Sequence, residues 1–358
     1  MTKHPIAFFT FNLTTYSGAA RQALTLADHL EERPIFFNVE PGRTSVEQAT
    51  AGQGEHTVIH LPPSRARGLA AVAWYTRRHR IRLYHLHGLV GVGLLAGLAL
   101  RKPIVLKTTL LGSDDFDSLS TKPGARLIMP LVRRVDANIV LSGALEAINR
   151  KYLPGERVHR WPNAAELPDA FGPKGAPIFI TVGLVCHRKR TKLAIQKFLD
   201  RYADLEGAKL LVIGPGGSDF GLEEGDQAYY EECLSLIPQS RRSQVVFTGS
   251  LSREDLQEHY RTALGFLSFS ESEGMPNALL EAMAANCVPI VGEIGGVSRE
   301  IIAHGEQGFV LGQDAHAPPI EEVRRVSESG AARARIADAF SFAKLAQQYA
   351  GLYRQLLG

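Results

Sequence analysis

Short apolar runs alternate with helical stretches along the whole chain, and that alternation admits few folds. The runs are Ile6–Phe11, Pro34–Val39, Thr57–Leu61, Leu83–Gly88, Ile104–Thr109 and Val135–Leu141, then Ile178–Gly183, Lys209–Gly214, Val245–Gly249, Phe266–Phe269, Val288–Gly292 and Phe309–Leu311. Strand-length segments separated by helical ones are the pattern of a parallel sheet, so the expected fold class is α/β. A chain of 358 residues has room for two such cores. Pro162, Pro168, Pro173 and Pro177, with Gly172 and Gly175, mark a linker between the two sets of runs. The expected division is 1–165, 166–335 and a tail 336–358. Apolar residues at helical spacing across Ala331–Leu357 (Ile336, Phe340, Phe342, Leu345, Tyr349, Leu352, Leu356) make the tail a helix.

Composition narrows the class. With 45% hydrophobic and 22% charged residues the chain reads as a soluble globular protein. The opening Met1-Thr2-Lys3-His4 leads straight into a first buried strand rather than a signal-peptide core, and the most apolar later stretch, Gly88–Leu100, stops short of a membrane span. Three cysteines, Cys186, Cys233 and Cys287, lack paired spacing, which argues for a reducing compartment and against a zinc site. The expected location is cytoplasmic. Charge is divided unequally: up to Ala165 there are 21 Lys and Arg against 12 Asp and Glu, and from Glu166 onward 19 against 25. A basic first half suits an anionic acceptor or the anionic inner face of a membrane, and no nucleic-acid partner is expected. Its densest part, Ser64–Arg80, has an apolar centre with Trp74 and basic ends, as an interfacial helix has; a surface helix packing its apolar face on the sheet reads the same way.

The stretch Phe266–Gly308 carries the chemistry. It reads as a strand, a polar loop, a helix from about Pro276 to Asn286, a second strand and a Gly295-Gly296 turn into another helix. Glu273 and Glu281 are eight positions apart, so with Pro276 at the first helical position Glu273 lies just before the helix and Glu281 two turns along it. Their carboxylates would share a side, on the order of 10 Å apart along the axis. The helix-start amides around Met275 to Ala278 favour an anion between them. A diphosphate joining a group near Glu273 to a diol near Glu281 fits that chemistry.

The run Glu273-Gly274-Met275-Pro276-Asn277-Ala278-Leu279-Leu280-Glu281-Ala282-Met283-Ala284, followed by Pro289-Ile290 and Gly295-Gly296, resembles the E-x7-E signature of retaining glycosyltransferases of family 4, the glycosyl transferases group 1, which have the GT-B fold. The resemblance implies two Rossmann-like domains facing a cleft, the N-terminal one for the acceptor and the C-terminal one for a nucleotide-diphosphate sugar. It implies a terminal helix crossing back to the first domain. It further implies transfer of the sugar to a saccharide, glycolipid or other hydroxyl acceptor with retained configuration, as in lipopolysaccharide, capsule or other glycoconjugate synthesis. The donor is a co-substrate, and no metal or other cofactor is expected. No enzyme nucleophile is evident, and front-face attack with the diphosphate oxygen as base is the family's usual account.

The same resemblance assigns residues. Glu273 would hold donor sugar hydroxyls and Glu281 the ribose diol, with Gly274, Met275, Pro276, Asn277, Ala278 and Leu279 lining the donor between them. Leu251, after the strand Val245–Gly249, would face the nucleobase. Gly18, in a strand–loop–helix order suited to phosphate, would let the backbone approach the donor. Lys189 would neutralise the leaving diphosphate; the arginine that relatives carry directly after the glycine is Leu184 here, and Arg188 is the candidate substitute. His87 before Gly88, with Thr109 and Asp114, would lie near the acceptor. Relatives carry a histidine where this chain has Lys107-Thr108-Thr109; a threonine hydroxyl still hydrogen-bonds a sugar but cannot become charged. Arg160-Trp161-Pro162-Asn163-Ala164 is similar to the family's Pro-Asn-Gly turn. Two alternatives remain at this level. Asp115-Phe116-Asp117 is a literal D-x-D that in another transferase class holds a metal, although a capping or acceptor-side role is favoured; and Leu184 and Thr109 leave room for a non-catalytic nucleotide-sugar-binding protein. The turn Gly214-Pro215-Gly216-Gly217 does not complete a dinucleotide fingerprint, because Asp219 stands where the third glycine belongs.

Overall fold

The computed structural model describes residues 6–13, 18–40, 42, 46–51, 55–62, 64–169, 174–217, 227–312 and 314–358. Met1-Thr2-Lys3-His4, most of the loop between Asn12 and Gly18, the linker residues Gly172 and Pro173, and Asp219 lie outside the described residues. The chain forms two units, Met1–Ala164 with Phe342–Gly358, and Ala165–Ser341.

The first unit is built on β1 (Ile6–Phe11), β2 (Ile35–Val39), β3 (Glu47–Ala51), β4 (His56–Leu61), β5 (Leu83–His87), β6 (Ile104–Thr108), β7 (Ala137–Val140) and β8 (Val158–Arg160). They form one sheet in the order β3-β4-β2-β1-β5-β6-β7-β8. All neighbours run parallel except β3, which pairs antiparallel with β4 at the edge. The sequence pattern does not anticipate β3 or β8: Glu-Gln-Ala-Thr-Ala has no apolar run, and β8 is three residues long. One face of the sheet buries Phe8, Phe36, Leu83 and Val105 against the helix Gly18–Asp28 and the terminal helix Phe342–Leu357. On the other face the helix Gly91–Ala99 approaches so closely that a Cβ on Gly93 would stand 2.7 Å from the Phe9 ring. Only glycine permits that contact.

The tail differs from the expectation of one continuous helix. Its apolar spacing continues across Phe340-Ser341, but the backbone breaks there into helices Ala331–Ala339 and Phe342–Leu357. The break is fixed by a backbone pairing: the Ala165 amide donates to Phe340 O at 2.9 Å, and Ala165 bridges Ser341. The first helix packs on Asn277–Ala284 in the second unit, and the second belongs to the core of the first unit, so the boundary falls at 341 rather than 335.

The second unit contains β9 (Ile178–Val182), β10 (Lys209–Ile213), β11 (Val245–Gly249), β12 (Gly265–Ser268), β13 (Val288–Gly292) and β14 (Phe309–Leu311). Their order is β11-β10-β9-β12-β13-β14, all parallel, the doubly wound arrangement. Phe179 stacks on Tyr202 with ring centroids 4.2 Å apart, and Tyr202 donates its hydroxyl to Pro318 O at 2.8 Å. The direction of winding reverses between β9 and β12, where such sheets open a crevice beyond the strand ends. In the first unit the corresponding reversal lies between β1 and β5.

Candidate active site

The loops that leave β9 and β12 meet at that reversal. From the β9 side, Gly183 leads into the single turn His187–Lys189, closed by Arg190 in the left-handed region at φ 49°. From the β12 side come Ser270 to Glu273. The Glu271 amide donates to Arg188 O at 2.9 Å, and Arg190 Nε donates to Glu271 Oε1 at 2.8 Å. Arg188 Nη1 donates to Ser272 O at 3.2 Å and reaches Glu273 Oε1 at 3.5 Å. Lys189 Nζ donates to the same Glu273 oxygen. Glu273 keeps only 11% of its side chain exposed, and Lys189 24%. Two cations therefore share one carboxylate in a partly dehydrated place, where charge-assisted hydrogen bonds are strong.

Glycines let these loops come together. Gly214, which follows β10 at φ +132°, lies so close that a Cβ would stand 2.1 Å from Gly183 O. The Gly183 amide donates to Ile213 O at 2.9 Å, and the Val185 amide to Pro215 O at 2.9 Å. A small pocket at this point is lined by Gly183, Leu184, Lys189, Thr191, Ser268 and Ser270. Leu184 contributes apolar wall where an arginine was expected, and Arg188 supplies the guanidinium beside Glu273.

Gly274, Met275 and Pro276 are buried and lead into the helix Asn277–Ala284. Pro276 stands at the N-cap, one position earlier than the sequence suggests, with φ −77° and ψ 96°. Its carbonyl accepts from the Leu279 amide at 3.1 Å and the Leu280 amide at 3.3 Å, and the helix ends at Ala284. Two turns of helix remain, and Glu281 lies on the second. Its Oε2 accepts from the hydroxyl of Tyr260 at 3.3 Å. Sequence reasoning missed Tyr260: it is buried in the helix Arg253–Thr262, and nothing in its spacing links it to residue 281. Leu251 is half-buried in the turn after β11, just ahead of Ser252, which caps that helix by accepting from the Asp255 amide. Glu273, Lys189 and Arg188 are thus brought into contact, whereas Glu281 has a separate partner.

The first-unit residues cluster at their own reversal. Gly18 is the first residue of the helix after β1. His87 ends β5 with 3% of its surface exposed and neither ring nitrogen hydrogen-bonded; its ring lies 4.7 Å from Phe8 and 4.1 Å from His85, so both histidines point to the same side, into the core. Burial first, then the nearby His85 and Lys107, hold its pKa well below the usual histidine range. Lys107 is buried as well and donates to Asn163 Oδ1 at 2.7 Å, with its pKa lowered to about 7 by burial. Asp114 accepts from the Thr109 amide and hydroxyl and from the Leu110 amide, the last at 2.7 Å. Burial raises the Asp114 pKa, and these hydrogen bonds oppose the rise.

The D-x-D carboxylates are occupied structurally. Asp115 caps the helix Phe116–Thr121, accepting from the Ser118 amide at 2.9 Å and the Gly112 amide at 2.7 Å. Asp117 pairs with Lys151 at 2.6 Å and accepts from the Tyr152 hydroxyl at 2.8 Å. Asp115 thus has the geometry of a cap, whereas Asp117 stands in a surface ion pair. Among the described residues no three His, Cys, Asp or Glu side chains gather as a metal site.

Residues 165–340 match the sequence model of the glycosyl transferases group 1 family. No curated protein sequence matches the chain. Among solved structures, sucrose-phosphate synthase from Thermosynechococcus elongatus superposes with a TM-score of 0.77 at 18% identity, covering 99% of each chain. Anabaena HepE, solved in complex with UDP-glucose, gives 0.73 at 15% identity over 99% of this chain and 100% of that one. The lipopolysaccharide outer core galactosyltransferase WaaB, in its apo form, gives 0.66 at 17% identity over 98% of this chain and 99% of that one. The second unit is therefore a glycosyl transferases group 1 domain, and the chain is a glycosyltransferase with the GT-B fold.

Proposed function

We propose that this enzyme is a retaining, family 4 transferase that moves a sugar from a nucleotide-diphosphate donor to a saccharide, glycolipid or other hydroxyl acceptor, without a metal. The observation that carries the reading is the convergence of Lys189, Arg188 and Glu273 at the switch point of the second sheet, just ahead of the helix start at Asn277. As the glycosidic bond to the diphosphate breaks, negative charge grows on the leaving oxygens. Lys189, Arg188 and the first amides of the helix are arranged to stabilise that charge. Glu273 holds the ammonium and guanidinium in place beforehand and presents its other oxygen to donor hydroxyls. Glu281, oriented by Tyr260, accepts from the ribose diol, and Leu251 borders the nucleobase.

The HepE complex with UDP-glucose is consistent with a uridine donor, and WaaB with an acceptor in lipopolysaccharide or other glycoconjugate synthesis. In the first unit, Thr109 and Asp114 border the acceptor. We assign His87, buried at the end of β5, to the same acceptor side. We place the reaction in the cytoplasm at the inner face of an anionic membrane. Incubating the purified enzyme with UDP- and GDP-sugars tests the reading: slow release of nucleoside diphosphate from one donor, undiminished by excess chelator, supports it. Nucleotide release from none of them, or release abolished by chelator, overturns it.

A further inference from the structure

Acidic side chains are missing from a long part of the first unit. Between Glu55 and Asp114 there is no Asp or Glu, against nine Lys and Arg residues. Of the acids beyond its C-terminal end, Asp114 holds the amides of its own loop, and Asp136 accepts from the Ile104 amide at 2.8 Å. The stretch folds into the helices Arg65–Arg78 and Gly91–Ala99, which pack side by side, and the second of these packs in turn against the helix Ala125–Val132. Three helices thus lie together, the middle one packed on β5 and β6.

The two most exposed large apolar side chains among the described residues stand on the outer two of these helices. Trp74 is 54% exposed and Leu127 is 79% exposed. Trp74 lies on an exposed stripe with Arg67, Ala70, Arg77 and Arg78, and the Arg78 guanidinium sits 5.2 Å from its ring centre. Leu127 is accompanied by exposed Arg126, Arg133 and Arg134. Exposed apolar groups surrounded by arginines have two solvents to satisfy. The arginines gain from phosphate oxygens, and the indole and isobutyl groups gain only from an apolar medium.

We propose that this three-helix face seats on an anionic lipid bilayer, with Trp74 and Leu127 entering the interface and the arginines meeting lipid phosphates. The proposal gives a site to the membrane partner named above and rests on that reading, though not on the transfer reaction. A nucleic acid is disfavoured, because a phosphate backbone offers nothing to an aliphatic side chain such as Leu127.

Flotation of the full chain with phosphatidylcholine vesicles, with and without phosphatidylglycerol, tests it. The chain should associate with the anionic vesicles only and less as salt rises. Brominated lipid should quench tryptophan fluorescence in the native chain, and Trp74→Phe should remove most of that quenching. Arg77→Glu combined with Arg78→Glu should weaken association by at least roughly twentyfold, at about fivefold per basic residue near the surface. Leu127→Ser should weaken it roughly tenfold. Each variant should keep the nucleotide response of the second unit, read as the thermal shift with UDP and GDP. Equal binding to neutral vesicles, binding that the substitutions leave unchanged, binding to nucleic acid but not vesicles, or no vesicle binding at all overturns the proposal. No donor or acceptor is present in the measurement, so its failure leaves sugar transfer standing, and a failure of transfer leaves the membrane face standing.

Discussion

Lys189 and Glu273 are 84 residues apart in sequence and form an ion pair across the loops that leave β9 and β12. Because the pair is held by the loops of the two strands that flank the winding reversal, removing either partner should affect chemistry more than folding. Glu273→Ala is expected to keep the fold, read by circular dichroism, and to lose turnover by at least about a hundredfold, the scale of removing one preorganised polar contact. Lys189→Met should do the same, and the double variant should be little worse than either single one, since the two groups act as a unit. Near-normal nucleotide release by Glu273→Ala would refute the role.

The pair was legible because Glu273 belongs to a spaced block and Lys189 to a basic run after a strand-ending glycine; their contact was not, since periodicity says nothing about which loops meet. The parallel alternation was readable because buried strands are apolar on both faces. β3, with the sequence Glu-Gln-Ala-Thr-Ala at an antiparallel edge, carries no such signature. The helix break at Phe340 was hidden by apolar spacing that continues through it, and the pairing of Ala165 with Phe340 that imposes it is non-local. Lys107 stood out as a departure from the family pattern, but its burial against Asn163 follows only from the fold.

Gly214 tests how tightly the site is closed. A Cβ there would stand 2.1 Å from Gly183 O, and φ +132° is strained for any other residue. The colliding atom is backbone and cannot step aside cheaply. Gly214→Ala should destabilise the second unit by about 3 kcal/mol or more, the range of severe backbone strain combined with overpacking. Chemical denaturation measures it, and a midpoint unchanged from the native chain would mean that these loops are freer than their contact implies.

A buried amide network holds β6, β7 and the helix Phe116–Thr121 together. Asn149 donates to Thr108 Oγ1 at 2.9 Å and to Asn138 Oδ1 at 2.8 Å, and accepts from the Phe116 amide at 3.0 Å. Asn149→Ala strands Asn138 Oδ1 and the Phe116 amide, while Thr108 Oγ1 loses one of its two donors and keeps Asn138 Nδ2 at 3.0 Å. Each unsatisfied group costs on the order of 1 kcal/mol or more, so a loss of about 2–4 kcal/mol is expected, measurable by thermal or urea unfolding.

His85, His87 and Lys107 lie together in the core of the first unit. Lys107 is bound to Asn163, and His85 Nδ1 is hydrogen-bonded to the Tyr353 hydroxyl at 2.7 Å. Burial lowers all three pKa values, so the unfolded chain binds more protons than the folded one, and stability must rise with pH. For Lys107 the window runs from about 7, its folded value, up to 10.5, its ordinary one. For the histidines stability falls as the pH drops below 6.5. Lys107→Met should flatten the alkaline limb, and His85→Phe should flatten part of the acid limb. Unfolding free energies across pH that keep their slopes in both variants would contradict this account.

Tyr260 is the residue through which Glu281 is oriented. Its ring is fully buried, and its hydroxyl donates to Glu281 Oε2 at 3.3 Å. If Glu281 receives the ribose diol, removing the hydroxyl leaves the carboxylate charged and present but less fixed. Tyr260→Phe should then weaken nucleotide binding by roughly three- to tenfold, the equivalent of about one neutral hydrogen bond, and leave kcat nearly unchanged, because the ribose is held alike in ground and transition states. Glu281→Gln should show the same split more strongly. Calorimetric titration with UDP or GDP, alongside steady-state kinetics, separates KM from kcat; a fall in kcat at constant KM would place Tyr260 and Glu281 in the chemical step instead.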